Sequence, residues 1–140
     1  MARTLHAYLA PDRMPDCPTL QAAIRAQGFK LVLDDAYAPF AHQGYLPCTL
    51  EGEDAGVYLT WEREAALPDV ASALRAEQGA RTDLMRLKWG GDAREEMSAM
   101  VIAAVLVLAF DALVLEPDQG VPQAGDALLK RARRLQAENF

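Results

Sequence analysis

The chain has 140 residues, and its apolar (51%) and charged (24%) contents are those of a globular protein rather than a disordered one. Fourteen basic against twenty acidic residues give a net charge of −6, which argues against nucleic acid as a partner because nucleic-acid binders usually carry a basic surface. Two cysteines are too few for a disulfide scaffold and are typical of a reducing cytoplasm. We therefore predict a cytoplasmic protein with one globular domain over residues 1–140, since domains average roughly 150 residues.

Alternation of apolar with polar residues predicts strands at residues 5–9, 29–33, 46–50, 57–61 and 84–89. A short, wholly apolar run predicts a further internal strand at residues 113–115. The third and fourth strands form a predicted hairpin, and the turn-forming residue types at 52–56 predict its turn.

Capping residues and helical periodicity predict the helices. Thr19 is the predicted N-cap of the first helix, which ends at Gly28, and Pro68 is the predicted first residue of the second. Asp92, with Glu95 three positions later, predicts the start of a long helix through a capping box. Residues 99–110 are too few to span a membrane, which needs about 20 apolar residues, so this helix is expected in the core and no membrane association is predicted. A last helix places apolar residues of the C-terminal region on one face.

The predicted order is β-α-β-β-β-α-β-α-β-α. This order predicts an α+β fold in which a single mixed or antiparallel sheet of five to six strands packs against three to four helices.

The stretch from residue 31 to residue 73 carries the most suggestive features. It contains eight acidic residues and one basic residue, a net charge of −7, and a loop from Asp35 to Tyr45 that exceeds the usual length of about 4–6 residues. Such a charge run is typical of a solvated surface, but interleaved aromatic residues are what protein interfaces use as anchors. We predict a recognition patch for a basic protein partner, formed by Asp34, Asp35, Tyr37, Phe40, His42, Tyr45, Glu51, Glu53 and Asp54.

Catalytic and metal-binding patterns are absent from the sequence. His42 and Cys48 are the only pair suited to nucleophilic catalysis, but Cys48 alternates with apolar residues and has acidic neighbours, which favours a buried, inert thiol. The two histidines do not have metal-ligand spacing, and the acidic pairs lack the spacing of a calcium loop. We predict no catalytic residue, no metal and no cofactor.

Two segments resemble an uncharacterised group of small bacterial proteins. These are GYLPCTLEG at residues 44–52 and KWGGD at 88–92, the latter followed by MSAM at 97–100. The resemblance covers residues 20–135, and it implies a bacterial protein without adding a catalytic residue. By analogy of size and charge alone, small acidic proteins of this kind include the immunity proteins of bacterial toxin systems.

Three functional hypotheses follow. The leading one is a non-enzymatic binding domain, such as an immunity protein that neutralises a basic toxin domain. The second is a small cytoplasmic enzyme with a site in the loop from Asp35 to Tyr45, where His42 would be the acid or base, with Cys48 or Asp35 as its helper. The third is a homo-oligomeric accessory protein, suggested by the nearly all-apolar central helix.

Overall fold

The structure, a computed structural model, describes residues 3–140. The strands are β1 (Thr4–Leu9), β2 (Leu31–Leu33), β3 (Gly44–Leu50), β4 (Glu53–Glu62), β5 (Asp83–Lys88) and β6 (Leu113–Leu115). The helices are α1 (Cys17–Ala26), α2 (Arg75–Gln78), α3 (Ala93–Phe110) and α4 (Gly125–Asn139), with 3₁₀ turns at Pro11–Arg13 and Asp69–Leu74. All six strands form one sheet in the order β2-β3-β4-β5-β1-β6, and every pairing is antiparallel. The predicted α+β class and element order are confirmed, and the sheet is antiparallel rather than mixed.

The inner face of the sheet is covered by α3, with α1 and α4 on either side of it. The α3 residues from Met97 to Leu106 are all buried, as predicted for a nearly uninterrupted apolar run. Asp92 caps the helix by accepting a hydrogen bond from the Arg94 N–H. Glu95 reaches back to the Gly90 N–H instead of closing the predicted capping box on Asp92. None of the helices within residues 3–140 has the length and apolar content needed to cross a membrane.

The outer face of the sheet is only half covered. The chain between β4 and β5 lies over β5, β1 and β6, where Tyr8, Leu84 and Leu115 form a second apolar cluster with Ala65 and Ala71. No such cover lies over the outer face of β2, β3 and β4 among the described residues. Three large side chains there are consequently 41–47% exposed, namely Val32, Tyr45 and Tyr58.

The hairpin between β3 and β4 turns earlier than predicted. Its turn consists of Glu51 and Gly52 alone, with φ of 53° and 80°, the positive values that a two-residue type I′ turn requires. The predicted turn at residues 52–56 is therefore wrong, because β4 already begins at Glu53. Gly56 lies within this strand, where a Cβ atom would stand only 2.2 Å from the Tyr45 hydroxyl. Its role is to leave room for an aromatic ring rather than to make a turn.

Two helix starts also differ from prediction. Asp16 caps α1 by accepting a hydrogen bond from the Thr19 N–H, so Thr19 lies in the first turn rather than at the N-cap. The segment that follows Pro68 winds mainly as 3₁₀ helix before the four-residue α2. Its Val70 is 55% exposed, whereas Ala71 is buried against the outer face, so the predicted apolar face is only partly used.

Candidate functional site

The uncovered part of the sheet forms a continuous surface across three strands. Side chains at alternate positions of a strand point to the same face, so the exposed residues of β2, β3 and β4 stand side by side. We call this surface the outer patch, and it consists of Val32, Asp34, Tyr45, Pro47, Thr49, Asp54 and Tyr58. A shallow depression of about 220 Å³ lies at its β2 side and is lined by the patch residues other than the two tyrosines.

A pair of tyrosines occupies the β4 side of the outer patch. Tyr45 and Tyr58 are directly opposite each other in register, with ring centroids 5.1 Å apart and an interplanar angle of 62°. The Tyr45 hydroxyl donates a 3.0 Å hydrogen bond to the Ala55 carbonyl, and the ring lies over Gly56. Burial raises the pKa of Tyr45, so the phenol remains a neutral donor at physiological pH. Tyr45 is therefore held in place, and Tyr58, which is 47% exposed, packs against it.

Carboxylates lie on both sides of β3 in the patch. Asp54 lies opposite Thr49 in register, and Asp34 follows β2 where its carboxylate accepts a 2.9 Å hydrogen bond from the Ala36 N–H. Within residues 3–140, the ion pairs of the structure involve neither Asp34, Asp35 nor Asp54. Lys88 stands beside Tyr58 on β5 and is the cation at the opposite border. The patch is thus aromatic at the end that carries Tyr45 and Tyr58, and it has a carboxylate on each side of β3 nearer the hairpin turn.

Asp35 is displaced from the outer patch although it follows Asp34 directly. It lines a second depression of about 280 Å³ on the α1 side of the β2 edge, together with Cys17, Gln21 and Arg25. Adjacent residues at the end of a strand diverge in this way, so the predicted acidic pair is split across the sheet edge.

Tyr37 is a core residue, and its prediction as an exposed anchor is wrong. Its side chain is 3% exposed, its hydroxyl donates a 3.1 Å hydrogen bond to the Pro15 carbonyl, and its ring packs edge-on against Trp61 at 5.8 Å. Desolvation in this position raises the pKa of the Tyr37 phenol. The aromatic ring therefore anchors the long loop to the inner side of the sheet instead of reaching a partner.

Phe40 and His42 lie at the Trp61 end of the sheet and do not join the outer patch. Phe40 is half-buried beneath the Arg63 guanidinium, 3.8 Å from its ring centre, and has a φ of 67°. The His42 ring stands edge-on to Trp61 at 6.1 Å, and its Nε2 is 3.2 Å from the Gly44 carbonyl oxygen. Both side chains fasten the loop that runs from Asp35 to Tyr45. Because both are also partly exposed, their role as partner contacts stays a prediction.

Glu51 and Glu53 fasten the hairpin tip to the helices. Glu53 forms an ion pair with Arg94 at the start of α3, and the Glu51 carboxylate accepts a 2.9 Å hydrogen bond from Gln136 of α4. Alternation along β4 directs Glu53 to the helix side and Asp54 to the outer side. Of the nine predicted residues, Asp34, Tyr45 and Asp54 therefore lie together on the outer patch, so the single predicted patch does not form as a whole.

Cys48 does not have the setting of a catalytic nucleophile. Its side chain is 6% exposed, and burial raises the pKa of its thiol to about 12, whereas a reactive cysteine needs a depressed pKa. Its Sγ donates to the Leu46 carbonyl, and no hydrogen bond joins it to His42 within the described part of the chain. Among residues 3–140 there is also no group of three or more His, Cys, Asp or Glu that could hold a metal ion.

The outer patch is completed by four residues that were not among the predicted site residues, namely Val32, Pro47, Thr49 and Tyr58. The sequence signal for them is the alternation itself, because each stands between two inward-facing residues of its strand. The two exposed tyrosines stand next to each other, and it is grouped rather than scattered apolar area that marks interaction surfaces. Comparison of the chain with protein-family models, with curated proteins and with solved structures finds no match.

Proposed function

We propose that the protein is a non-enzymatic binding domain that recognises a basic protein surface through its outer patch. The observation that carries the proposal is the Tyr45–Tyr58 pair, half exposed on an uncovered sheet face and bordered by carboxylates that form no ion pair within residues 3–140. In such a surface, aromatic anchors supply most of the binding free energy and charged borders select the partner.

The tyrosines are suited to anchoring because they are preorganised. Tyr45 is held by its hydrogen bond to Ala55 and by the ring of Tyr58, so little rotamer entropy is lost when a partner covers it. A phenol also offers apolar area and a polar hydroxyl in one side chain, which is why tyrosine is enriched in interfaces.

The acids are suited to steering because no cation of the described part of the chain forms an ion pair with them. Asp34 and Asp54 line the same depression, and Asp35 lies just across the sheet edge. Together they present negative potential to an approaching basic partner and raise the association rate. Basic residues at the rim of a partner would then meet Asp34 and Asp54 while an apolar or aromatic centre covers the tyrosines.

A basic toxin domain from a bacterium is the partner class that we propose. Immunity proteins are small and acidic and neutralise their toxins by binding them, and this chain shares their size and charge. We place the interaction in the cytoplasm, the compartment that is consistent with two free cysteines.

A site-specific photo-crosslinking experiment tests the proposal. A photoreactive amino acid is placed at Thr49, inside the outer patch, and in a second protein at Ala137, an exposed position on α4. We expect a basic protein to be cross-linked from Thr49 and not from Ala137. Equal cross-linking from the two positions would contradict docking at the patch.

The purified partner is then titrated against matched variants. Tyr58→Ala should weaken binding at least about tenfold, as for an interface hot spot, whereas Phe140→Ala, an equally exposed aromatic outside the patch, should leave it unchanged. The double variant Asp34→Asn with Asp54→Asn should lower the association rate and its salt dependence, and Glu138→Gln serves as the charge control. An affinity that does not change between about 0.05 and 0.5 M salt would refute acidic steering.

A further inference from the structure

The strand β2 is one edge of the sheet, and the main-chain groups of successive residues point alternately towards β3 and towards the open edge. The Lys30 carbonyl accepts a hydrogen bond from the Glu51 N–H, and the Asp34 N–H donates to the Pro47 carbonyl, so even-numbered residues face β3. Leu31 and Leu33 therefore turn their N–H and C=O groups towards the open edge. Such unpaired groups are a template on which another strand can pair.

The side chain of Gln21 occupies this template. From α1, its Nε2 donates a 2.8 Å hydrogen bond to the Leu31 carbonyl, and its Oε1 accepts a 2.8 Å hydrogen bond from the Leu33 N–H. A primary amide bonded in this way occupies one carbonyl oxygen and one N–H of the open edge. Gln21 thus satisfies two of the four main-chain groups of Leu31 and Leu33 that an added antiparallel strand would bond.

The edge sequence is complementary to itself when two copies run antiparallel. Pairing centred on Val32 sets Leu31 of one copy against Leu33 of the other, and it sets Lys30 against Asp34 at both ends. The Leu31–Leu33 pairs would exchange hydrogen bonds through the groups that Gln21 now holds. Opposite charges directly across from each other on neighbouring strands stabilise such a pairing.

From these observations we propose that β2 is a latent interface for a second copy of this chain, paired antiparallel about Val32, and that Gln21 keeps it closed. The leucine side chains already lie in the core, so pairing requires no rearrangement of the sheet. Val32, 47% exposed, would face its own copy across the two-fold axis. Self-pairing uses main-chain groups at the edge and leaves the tyrosines free, but it would engage Val32 and Asp34, which also belong to the outer patch.

Removal of the Gln21 amide tests the inference. Gln21→Met keeps the length and helix propensity of the side chain but cannot bond Leu31 or Leu33. We expect sedimentation equilibrium to show self-association at least tenfold stronger than for the unmodified chain. Gln136→Met, which removes a helix glutamine bonded to a side chain instead of an edge strand, should leave self-association unchanged.

Charge exchange at the two ends of β2 tests the geometry. Lys30→Asp and Asp34→Lys, each made in the Gln21→Met background, place like charges opposite each other and should abolish the homodimer. A mixture of the two proteins restores opposite charges and should form a heterodimer. A folded Gln21→Met chain that associates no more strongly than the unmodified protein overturns the role of Gln21. Self-association that is unchanged by the charge exchange would overturn the proposed antiparallel pairing. If the methionine variant does not fold, Gln21→Ala carries the same expectations.

Discussion

The contact between Tyr45 and Gly56 gives the sharpest test of the outer patch. The ring lies so close to Gly56 that an added Cβ would stand 2.2 Å from the hydroxyl oxygen and 2.3 Å from Cζ. Real Cβ atoms do not approach heavy atoms so closely, and the Gly56 backbone is too firmly paired within the sheet to move. In Gly56→Ala we therefore expect the Tyr45 ring to swing away from the strand.

The cost of that movement follows from the contacts it breaks. Losing the Tyr45 hydrogen bond to Ala55 costs about 1 kcal/mol, and losing the cross-strand pair with Tyr58 costs about 0.5–1 kcal/mol. Alanine is better than glycine in a strand by roughly 0.5–1 kcal/mol, which offsets part of the loss. Gly56→Ala should therefore destabilise the protein by about 1 kcal/mol when these terms are combined.

A double-mutant cycle isolates the contact. In a Tyr45→Ala background the clash is gone, and Gly56→Ala should instead stabilise the protein by roughly 0.5–1 kcal/mol. The coupling between the two positions is then about 1.5–2 kcal/mol, well above the additivity error of distant sites. Urea unfolding of the four proteins measures it, with Tyr45→Phe as the variant that removes the hydroxyl alone. The same cost for Gly56→Ala in both backgrounds would show that the ring does not lie over Gly56.

Three further predictions concern the turn, the thiols and the buried phenol. In a Gln136→Ala background, where the hydrogen bond from Gln136 to Glu51 is already absent, Glu51→Asn should raise the free energy of unfolding by about 0.5–1 kcal/mol because asparagine suits the first position of a type I′ turn, and urea unfolding that shows a loss would contradict this turn assignment. A thiol reagent at pH near 8 should label Cys17 in the native protein and Cys48 only after unfolding, because burial raises the Cys48 pKa to about 12; rapid native labelling of Cys48 would instead favour the enzyme hypothesis. Tyr37→Phe should cost about 1–2 kcal/mol by leaving the Pro15 carbonyl without its donor. Because the pKa of Tyr37 is raised in the folded state, the stabilising contribution of its phenol is present below the unfolded pKa of about 10 and is lost as the pH rises above that value. The free energy of unfolding should therefore fall less steeply with rising alkaline pH in Tyr37→Phe than in the unmodified protein.

Periodicity predicted the elements of this fold because most of them bury one face against a single core. Leu46, Cys48 and Leu50 alternate inward along β3 as expected, and the apolar run of α3 is buried throughout its middle. The hairpin turn escaped prediction because Glu51 adopts a left-handed conformation that glycine or asparagine usually fills. Glycine is typical of turns, but Gly56 lies in a strand, where the ring of Tyr45 leaves no room for a Cβ atom. No local pattern around Gly56 indicates this contact.

The candidate site was harder to predict because its residues are sorted by contacts between distant segments. Whether Tyr37 is an anchor or a core residue depends on Pro15 and Trp61, which no local pattern relates to it. Glu53 and Asp54 are neighbours in sequence, yet one pairs with Arg94 and the other faces solvent. A count of charges over the segment could not separate them, and the predicted strand began only at residue 57; because β4 begins at Glu53, its alternation assigns the two acids to opposite faces.

The outer patch differs from an ordinary solvated sheet face in being rigid as well as exposed. The hairpin that carries it is tied to α3 by Glu53 and to α4 by Glu51, while Tyr45 is bonded to its own hairpin. Because this order is present before a partner arrives, binding there would lose little conformational entropy. Substitutions that loosen the hairpin, such as Glu53→Gln, should lower the affinity for the partner although the substituted residue does not contact it. The loss should come mainly from faster dissociation. Substitutions of Asp34 or Asp54 should act mainly on the association rate. Measuring both rate constants therefore distinguishes residues that hold the patch in place from residues that face the partner.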